Sequence, residues 1–337
     1  MEHLERSDSP LRVGVIGVGH LGAIHAKLWK GVGGATLAGV VDSDPERAQK
    51  IAAEHGTQAF AEIGELLAAV EAVSIVTPTS VHAAVAEQAL RAGRHVFIEK
   101  PITARYAEAQ RIISTADEAG LVLQVGHIER FNPAFEALRG HSLEPMFIES
   151  HRLAQFRPRA TDVAVVLDLM IHDIDLILAL TRSEVTELRA SGVSVVSDTI
   201  DIANARLEFA SGCVANLTAS RISQRQMRKM RLFQRDAYIS IDFAQPSVEM
   251  FQIRDDMSGA HESTMLLGAI EQGTKQRVIT FEKLPTPDTN ALAEELAEFA
   301  GAIRTGSQPR VTGRSGAEAL RVAEEIMREI ERRAVVA

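Results

Sequence analysis

The chain has 337 residues, of which 46% are hydrophobic and 24% charged, with a formal net charge of −9. That length suits two domains of ordinary size, and the negative charge argues against general nucleic-acid binding. One cysteine, Cys213, excludes an intramolecular disulfide and fits a reducing compartment.

The start from Met1 to Arg12 is polar and lacks the apolar core of a signal peptide. Apolar runs such as Val163 to Met170, interrupted by Asp168, are too short to span a bilayer. No Cys/His cluster has metal-ligand spacing, so no metal is expected. A soluble cytoplasmic protein is the expectation.

Leu11 to Ile16 reads as a strand, and Gly17-Val18-Gly19-His20-Leu21-Gly22 follows it directly, before a helix that opens at Ala23. The first glycine permits a tight turn, the second lets backbone approach a pyrophosphate, and the third lets helix and strand pack closely. The helix then turns free N–H groups and a positive dipole end toward phosphates. A second strand, Thr36 to Val41, ends in Asp42, about 20 residues past the last glycine, where the dinucleotide fingerprint places its acid. A carboxylate there binds both ribose hydroxyls and repels a 2′-phosphate, which favours NAD over NADP. Ser43 and Arg47 stay open as holders of a 2′-phosphate.

The alternation continues with a helix at Pro45–Glu54, a short strand at Gln58–Phe60, a helix near Ile63–Ala69 and a strand at Ala72–Val76. Ser80–Ala92 and Tyr106–Glu118 read as helices, and His95–Ile98 and Val122–Val125 as strands. Regular alternation of this kind means a doubly wound parallel sheet, here a Rossmann domain over residues 10–128.

From Asn132 the grammar changes. A short helix at Pro133–Leu138 and a strand at Met146–Leu153 precede an irregular basic stretch, Gln155–Arg159, and a helix from Val163 to Leu180. Strand-like runs follow at Val185–Val195, Ile202–Glu208, Val214–Ser220, Arg228–Phe233, Tyr238–Asp242 and Ser247–Ile253. Residues 254–289 are polar and proline-bearing and are expected to be partly loop. The tail, Asn290–Arg304 and Gly316–Arg333, has helical periodicity and is able to pack back on the first domain. Residues 129–337 thus read as an α+β domain with a large, mostly antiparallel open sheet.

Several residues carry the chemistry. Lys100, in Glu99-Lys100-Pro101, stands at the carboxyl end of the buried strand, the rim where ligands bind in open α/β sheets. An exposed strand-end lysine is the plain alternative. Thr77 and Pro78 are placed to shape the cofactor cleft. His82 is either a reach into that cleft or a simple helix-start histidine. Asp168 and His172, four apart on a helix, share a face, and Asp175 follows by three. A histidine beside a carboxylate suits a general base, whereas a solvated helix face is the bland reading. Arg130 and Asn132, in Gly126–Pro133, sit where the two domains join. Arg152, Arg157 and Arg159 form a basic cluster in an acidic chain, suited to a diphosphate or to a solvated loop.

Read together, Gly17–Gly22, Thr77-Pro78 with His82, Glu99-Lys100-Pro101 and Asp168-x3-His172 resemble the Gfo/Idh/MocA family of glucose–fructose oxidoreductase and inositol dehydrogenase relatives, over nearly the whole chain. The resemblance implies a Rossmann domain followed by an α/β domain with an open sheet. It also implies oxidation or reduction of a sugar or cyclitol carbon with a nicotinamide cofactor, and homodimers or homotetramers formed through that sheet. Matched by motif, Lys100 and His172 are the catalytic pair and Asp168 the supporting acid. The cofactor set is Gly17, Gly19, His20, Leu21, Gly22, Asp42, Thr77, Pro78, His82, Glu99 and Lys100. The substrate set is Arg130, Asn132, Arg152, Arg157, Arg159, Asp168 and His172.

Gly126–Pro133 and Thr161-Asp162-Val163 leading into Val166–Asp173 resemble, more narrowly, the branch that oxidises the 3-hydroxyl of UDP-N-acetylglucosamine. That branch implies a PLP-dependent aminotransferase acting next, toward a diamino-sugar lipid A. Another sugar, cyclitol or UDP-sugar uronate as substrate, and a non-catalytic NAD-binding regulator, are the alternatives. Which of Lys100 and His172 is the formal base stays open, because the two would titrate together.

Overall fold

The computed structural model describes residues 9–156, 163–258, 260–272 and 275–334. The chain forms two compact units, one of residues up to Ile128 with Asn290–Glu318, the other of Glu129–Thr289 with the residues from Ala319 on.

In the first unit, β1 (Leu11–Ile16), α1 (His20–Trp29), β2 (Ala35–Val41), α2 (Pro45–His55), β3 (Gln58–Ala59) and α3 (Ile63–Ala69) run in succession. They are followed by β4 (Ala72–Ile75), α4 (Thr79–Arg91), β5 (His95–Glu99), α5 (Tyr106–Ala119) and β6 (Leu123–Gly126). The strands pair in the order β3-β2-β1-β4-β5-β6, all parallel. The order reverses direction beside β1, the switch point where open α/β sheets bind ligands. Local chemistry sets the elements: Pro45 opens α2, and the Asp44 carboxylate caps it by accepting from the N–H groups of Glu46 and Arg47. Val13, Val15, Val73, Ile75, Phe97 and Ile98 are fully buried, as a sheet covered on both faces requires.

In the second unit, a 3-10 turn (Ile128–Phe131) and α6 (Pro133–Glu136) lead into β7 (Phe147–Leu153). A π-helical turn (Val166–Met170) runs into α7 (Ile171–Thr181). Then come β8 (Val185–Val193), β9 (Ile202–Phe209), β10 (Val214–Ser220), β11 (Met227–Phe233), β12 (Ala237–Asp242), β13 (Ser247–Arg254), β14 (Met265–Gln272) and β15 (Lys275–Leu284). These strands form one nine-stranded sheet in the order β14-β15-β13-β12-β11-β7-β10-β9-β8, with β7 and β10 parallel and every other pair antiparallel. The pleat sends Ala203, Ala205, Leu207, Leu217, Leu232, Ile239 and Met250 into one core with Met170, Ile174 and Ile177. A cross-strand row on β7, β11, β12, β13 and β15 carries Phe147, Phe233, Tyr238, Phe251 and Phe281, with successive ring centroids 4.9–5.8 Å apart. Cys213 is buried, and burial pushes its thiol up to about 11.

Residues 254–289, expected to be partly loop, hold β14 and β15, with irregular chain among the described residues before and after that hairpin. Met265, Leu266 and Leu267 are more than half exposed, and the pairing slips between Leu266 and Gly268. Neither face of this edge strand is buried in the core, so no two-residue alternation marks it.

Two helices close the chain, α8 (Ala291–Thr305) and α9 (Gly313–Ala334). Residues 290–318, counted with the second domain in the sequence reading, belong to the first unit. Leu292, Leu296, Phe299 and Ala300 of α8 join the core of α1 and β1, where Phe299 meets the edges of Trp29 and Phe97. The later residues Ala319, Val322, Ala323, Ile326 and Ile330 of α9 pack in the second unit's core. Among the described residues no helix is long and apolar enough to cross a membrane.

Asp201, just before β9, is buried and organises the β8–β9 connection. Its Oδ2 accepts from the N–H groups of Val195, Val196 and Ser197 at 2.7, 2.7 and 3.0 Å, and its Oδ1 from the Ser197 hydroxyl at 2.7 Å. Burial opposes ionisation, but these donors outweigh it and hold the carboxyl below its ordinary value of 3.8. The unfolded chain therefore binds this proton first as pH falls, and stability present above about pH 4 is lost below it. Asp201→Asn is expected to flatten the acid limb of stability against pH, read by urea unfolding between pH 3 and 7. An unchanged slope would contradict the assignment.

Candidate active site

The three glycines of the first turn act for separate reasons. Gly17 has φ +84° and faces the Val76 carbonyl, which a Cβ would approach to 2.8 Å. A Cβ on Gly22 would lie 1.9 Å from the Gly17 carbonyl oxygen. A Cβ on Gly19 would meet nothing within 4 Å, so the backbone there borders open space. Gly19 caps α1 without a side-chain bond, leaving N–H groups of its first turn for an anion. His20 and Leu21 are exposed on that same turn. We expect Gly19→Ala to leave thermal stability unchanged and to lower NAD affinity at least about tenfold, because its methyl fills the space a pyrophosphate needs. Gly22→Ala should lower both, read by thermal unfolding and cofactor titration.

Asp42 ends β2 and ties the turn in place. Its Oδ2 accepts the Val18 N–H at 2.7 Å, and its Oδ1 accepts from the Asp44 N–H at 2.9 Å and from Arg47 Nη2 at 2.7 Å. Burial works against the charge, yet the Arg47 guanidinium and these N–H donors hold the carboxyl below its usual range. Ser43 donates weakly to the same oxygen at 3.4 Å. Both residues left open for a 2′-phosphate thus face the Asp42 carboxylate. The Thr77 Oγ1 is buried and has no hydrogen-bond partner among the described residues. A polar atom so placed beside Gly17, together with the clearance over Gly19, fits a bound dinucleotide. Pro78 caps α4.

Glu99 closes β5, and the Lys100–Pro101 peptide bond is cis. The Glu99 carboxylate meets His25 Nε2 at 3.1 Å through Oε1 and accepts the Lys100 N–H at 3.2 Å through Oε2. Gly126 leaves room for it, since a Cβ there would stand 3.0 Å from that carboxylate. His82 is buried, with Nδ1 2.9 Å from the Pro101 carbonyl and Nε2 2.9 Å from the Thr77 carbonyl. The ring therefore lies between the two turns, with neither nitrogen presented outward. Burial pushes its imidazole below the ordinary histidine value. His25, three residues past the last glycine, was not singled out in the sequence, where nothing distinguishes it from any other helical histidine.

In the second unit the expected substrate arginines are turned inward. Arg152 is 3% exposed, and its Nε and Nη2 donate to Asp173 Oδ1 at 3.0 and 2.7 Å while Nη1 donates to Glu129 Oε1 at 2.7 Å. Burial disfavours the cation, but Asp173 and Glu129 outweigh that and hold it charged well above the usual range. Arg130 grips Asp175 through two bonds, at 2.6 and 2.9 Å. Asn132 caps α6 through the Ala134 N–H and donates to Glu129 Oε2 and the Phe243 carbonyl. Arg130, Asn132 and Arg152, all expected in the substrate set, thus have hydrogen-bond partners within the protein. Arg157 and Arg159 lie outside the described residues.

Asp168 lies in the π-helical turn and His172 in the first turn of α7. The i→i+5 bonding of the π turn widens the spiral there, so four-residue spacing no longer sets which side chains align. His172 is half-buried and follows directly on the buried Met170 and Ile171, while Asp173 and Asp175 behind it are the two aspartates held by arginines. A π turn of this kind is a frequent mark of functional sites.

The family model described as "Oxidoreductase family, NAD-binding Rossmann fold" matches residues 11–127, and that described as "GFO/IDH/MocA C-terminal domain" matches residues 135–240. The UDP-N-acetylglucosamine 3-dehydrogenase of Acidithiobacillus ferrooxidans is 41% identical over 322 residues, covering 95% of this chain and 97% of that protein. The scyllo-inositol 2-dehydrogenase (NAD(+)) of Bacillus subtilis is 30% identical over 325 residues, covering 90% and 89%. A solved structure of the Acidithiobacillus enzyme superposes with a TM-score of 0.85 at 40% identity, over 95% of this chain and 98% of that one. The chain therefore belongs to the Gfo/Idh/MocA family of oxidoreductases, with an NAD-binding Rossmann domain.

Proposed function

We propose that this protein oxidises the 3-hydroxyl of UDP-N-acetylglucosamine to the ketone, with NAD as cofactor. The observation that carries the reading is the 41% identity to a UDP-N-acetylglucosamine 3-dehydrogenase across 95% of the chain. Bound NAD supplies the hydride acceptor. Gly17, Gly19 and Gly22 with the first turn of α1 hold its pyrophosphate, Asp42 its adenosine ribose, and Thr77 and Pro78 border the nicotinamide end.

The protein's own work is on the proton and the oxygen. Lys100 donates a hydrogen bond to the sugar oxygen and stabilises the negative charge that develops there. His172 accepts the hydroxyl proton, with Asp168 as the supporting acid. Arg157 and Arg159 are the cations assigned to the diphosphate, and Arg130, Asn132 and Arg152 stay in the substrate set. Further along the same reading, the 3-keto sugar passes to a PLP-dependent aminotransferase for a diamino-sugar lipid A, and the enzyme works in the cytoplasm as a homo-oligomer.

The test is incubation with NAD and a panel of UDP-sugars, free sugars and cyclitols, coupled to an aminotransferase that removes the ketone, while NADH is followed. NADH from UDP-N-acetylglucosamine is expected. Turnover of a cyclitol with none of any UDP-sugar would overturn the substrate.

A further inference from the structure

The geometry points to a pair of buried histidines, His25 and His82, as positioning residues for Lys100, gripping the chain on either side of it. The inference rests on the catalytic role proposed above for Lys100. His25 is fully buried on α1, and its Nδ1 has no hydrogen-bond partner among the described residues. A carboxylate only accepts, so Nε2 is the nitrogen that donates, to Glu99 Oε1 at 3.1 Å. The other Glu99 oxygen accepts the Lys100 N–H. A chain of two hydrogen bonds thus runs from the first helix to the backbone of Lys100. Phe97 meets the His25 ring edge-on, with centroids 5.5 Å apart, which fixes the ring plane.

On the far side, His82 stands with Nδ1 2.9 Å from the Pro101 carbonyl and Nε2 2.9 Å from the Thr77 carbonyl. Both partners are acceptors and the neutral ring carries one N–H, so it donates to one carbonyl at a time, and the bond to Pro101 needs the proton on Nδ1. The ring spans from the turn after β4 to the turn after β5, and the residue between the two gripped positions, 99 and 101, is Lys100. Holding residues 99 and 101 leaves Lys100 little backbone freedom. A shift of about 1 Å at such a group costs on the order of 10²-fold in rate.

The two nitrogens of His82 can be tested apart. Asparagine reproduces the reach of Nδ1 and keeps the Pro101 bond, whereas glutamine reproduces Nε2 and keeps the Thr77 bond. For His25 the donor is Nε2, so glutamine is the conservative variant. Two readouts are taken for His25→Leu, His25→Gln, His82→Leu, His82→Asn and His82→Gln. One is kcat and the KM for NAD. The other is the acylation rate of Lys100 in the cofactor-free protein, by competitive acetic anhydride labelling against the exposed Lys27 and Lys50.

We expect the leucine variants to lose about 10- to 100-fold in kcat with little change in the KM for NAD, and to change Lys100 labelling relative to the surface lysines. His25→Gln and His82→Asn should restore both readouts, with His82→Gln falling between. Unchanged Lys100 labelling and kcat in folded leucine variants would overturn the inference. So would His82→Asn performing no better than His82→Gln, a comparison that holds even if the leucine variants fail to fold. Altered labelling in a protein that does not turn over UDP-N-acetylglucosamine would support the bracket and refute the substrate.

Discussion

Lys100→Met and His172→Ala should each lower kcat by about 10³- to 10⁴-fold, the range for removing a charge-stabilising donor or a positioned general base. NAD binding should remain nearly intact. The glycine turn, Asp42 and Thr77 hold the cofactor's ends in this account, and none of them depends on either side chain. Removing the Lys100 ammonium also leaves the turn anchored, because Glu99 and Pro101 are held through their own atoms by His25 and His82. Residues that act as one unit give non-additive losses, so the double variant should be little worse than either single one. Cofactor titration and single-turnover kinetics check both points. Loss of NAD binding in either folded variant would count against the roles assigned.

Arg152→Met should cost about 3–5 kcal/mol of stability, the range for breaking a buried ion pair from one side. The side chain is 4% exposed, and its partners Asp173 and Glu129 are 4% and 6% exposed. Removing the guanidinium takes from the buried Asp173 carboxylate two hydrogen bonds and leaves Glu129 with Asn132 and, at 3.7 Å, Arg228. Adding Asp173→Leu removes the buried charge that has lost its guanidinium, and the double variant should recover part of the loss. Urea unfolding midpoints report both. A loss below about 1 kcal/mol, the value of an ordinary surface pair, would mean the network is not the anchor described. Because Asp173 follows His172 directly, the folded fraction of Arg152→Met should also show a reduced kcat.

Much of the fold was legible because burial leaves a period in the chain. Strands covered on both faces, such as Ala72–Ile75 and His95–Glu99, read as short continuous apolar runs between helices. The α+β half was legible where one face is buried, as in Ala203, Ala205, Leu207 and Phe209. The hairpin of β14 and β15 was not, because an edge that buries little carries no alternation. Nor does a sequence show that Phe299 belongs with Trp29 and Phe97, since that contact is made far along the chain.

The site divides along the same line. Gly17, Gly22 and Asp42 were legible because turn geometry and spacing constrain them locally. Arg152 and Arg130 read as available cations because their partners, Asp173, Glu129 and Asp175, come from other elements. The role of His25 was hidden for the same reason: it is defined by Glu99, 74 residues away. The π turn at Val166–Met170 is a backbone feature that helical periodicity passes over.

The central claim is oxidation at C3 of UDP-N-acetylglucosamine with NAD. The most direct measurement supplies the sugar nucleotide with deuterium at C3 or at C4 in separate reactions and follows the label by mass spectrometry of the NADH formed. Deuterated NADH from the C3-labelled substrate alone, with a primary isotope effect in single turnover, is the predicted result. Unlabelled NADH from the C3-labelled substrate, or deuterated NADH from the C4-labelled one, would contradict it.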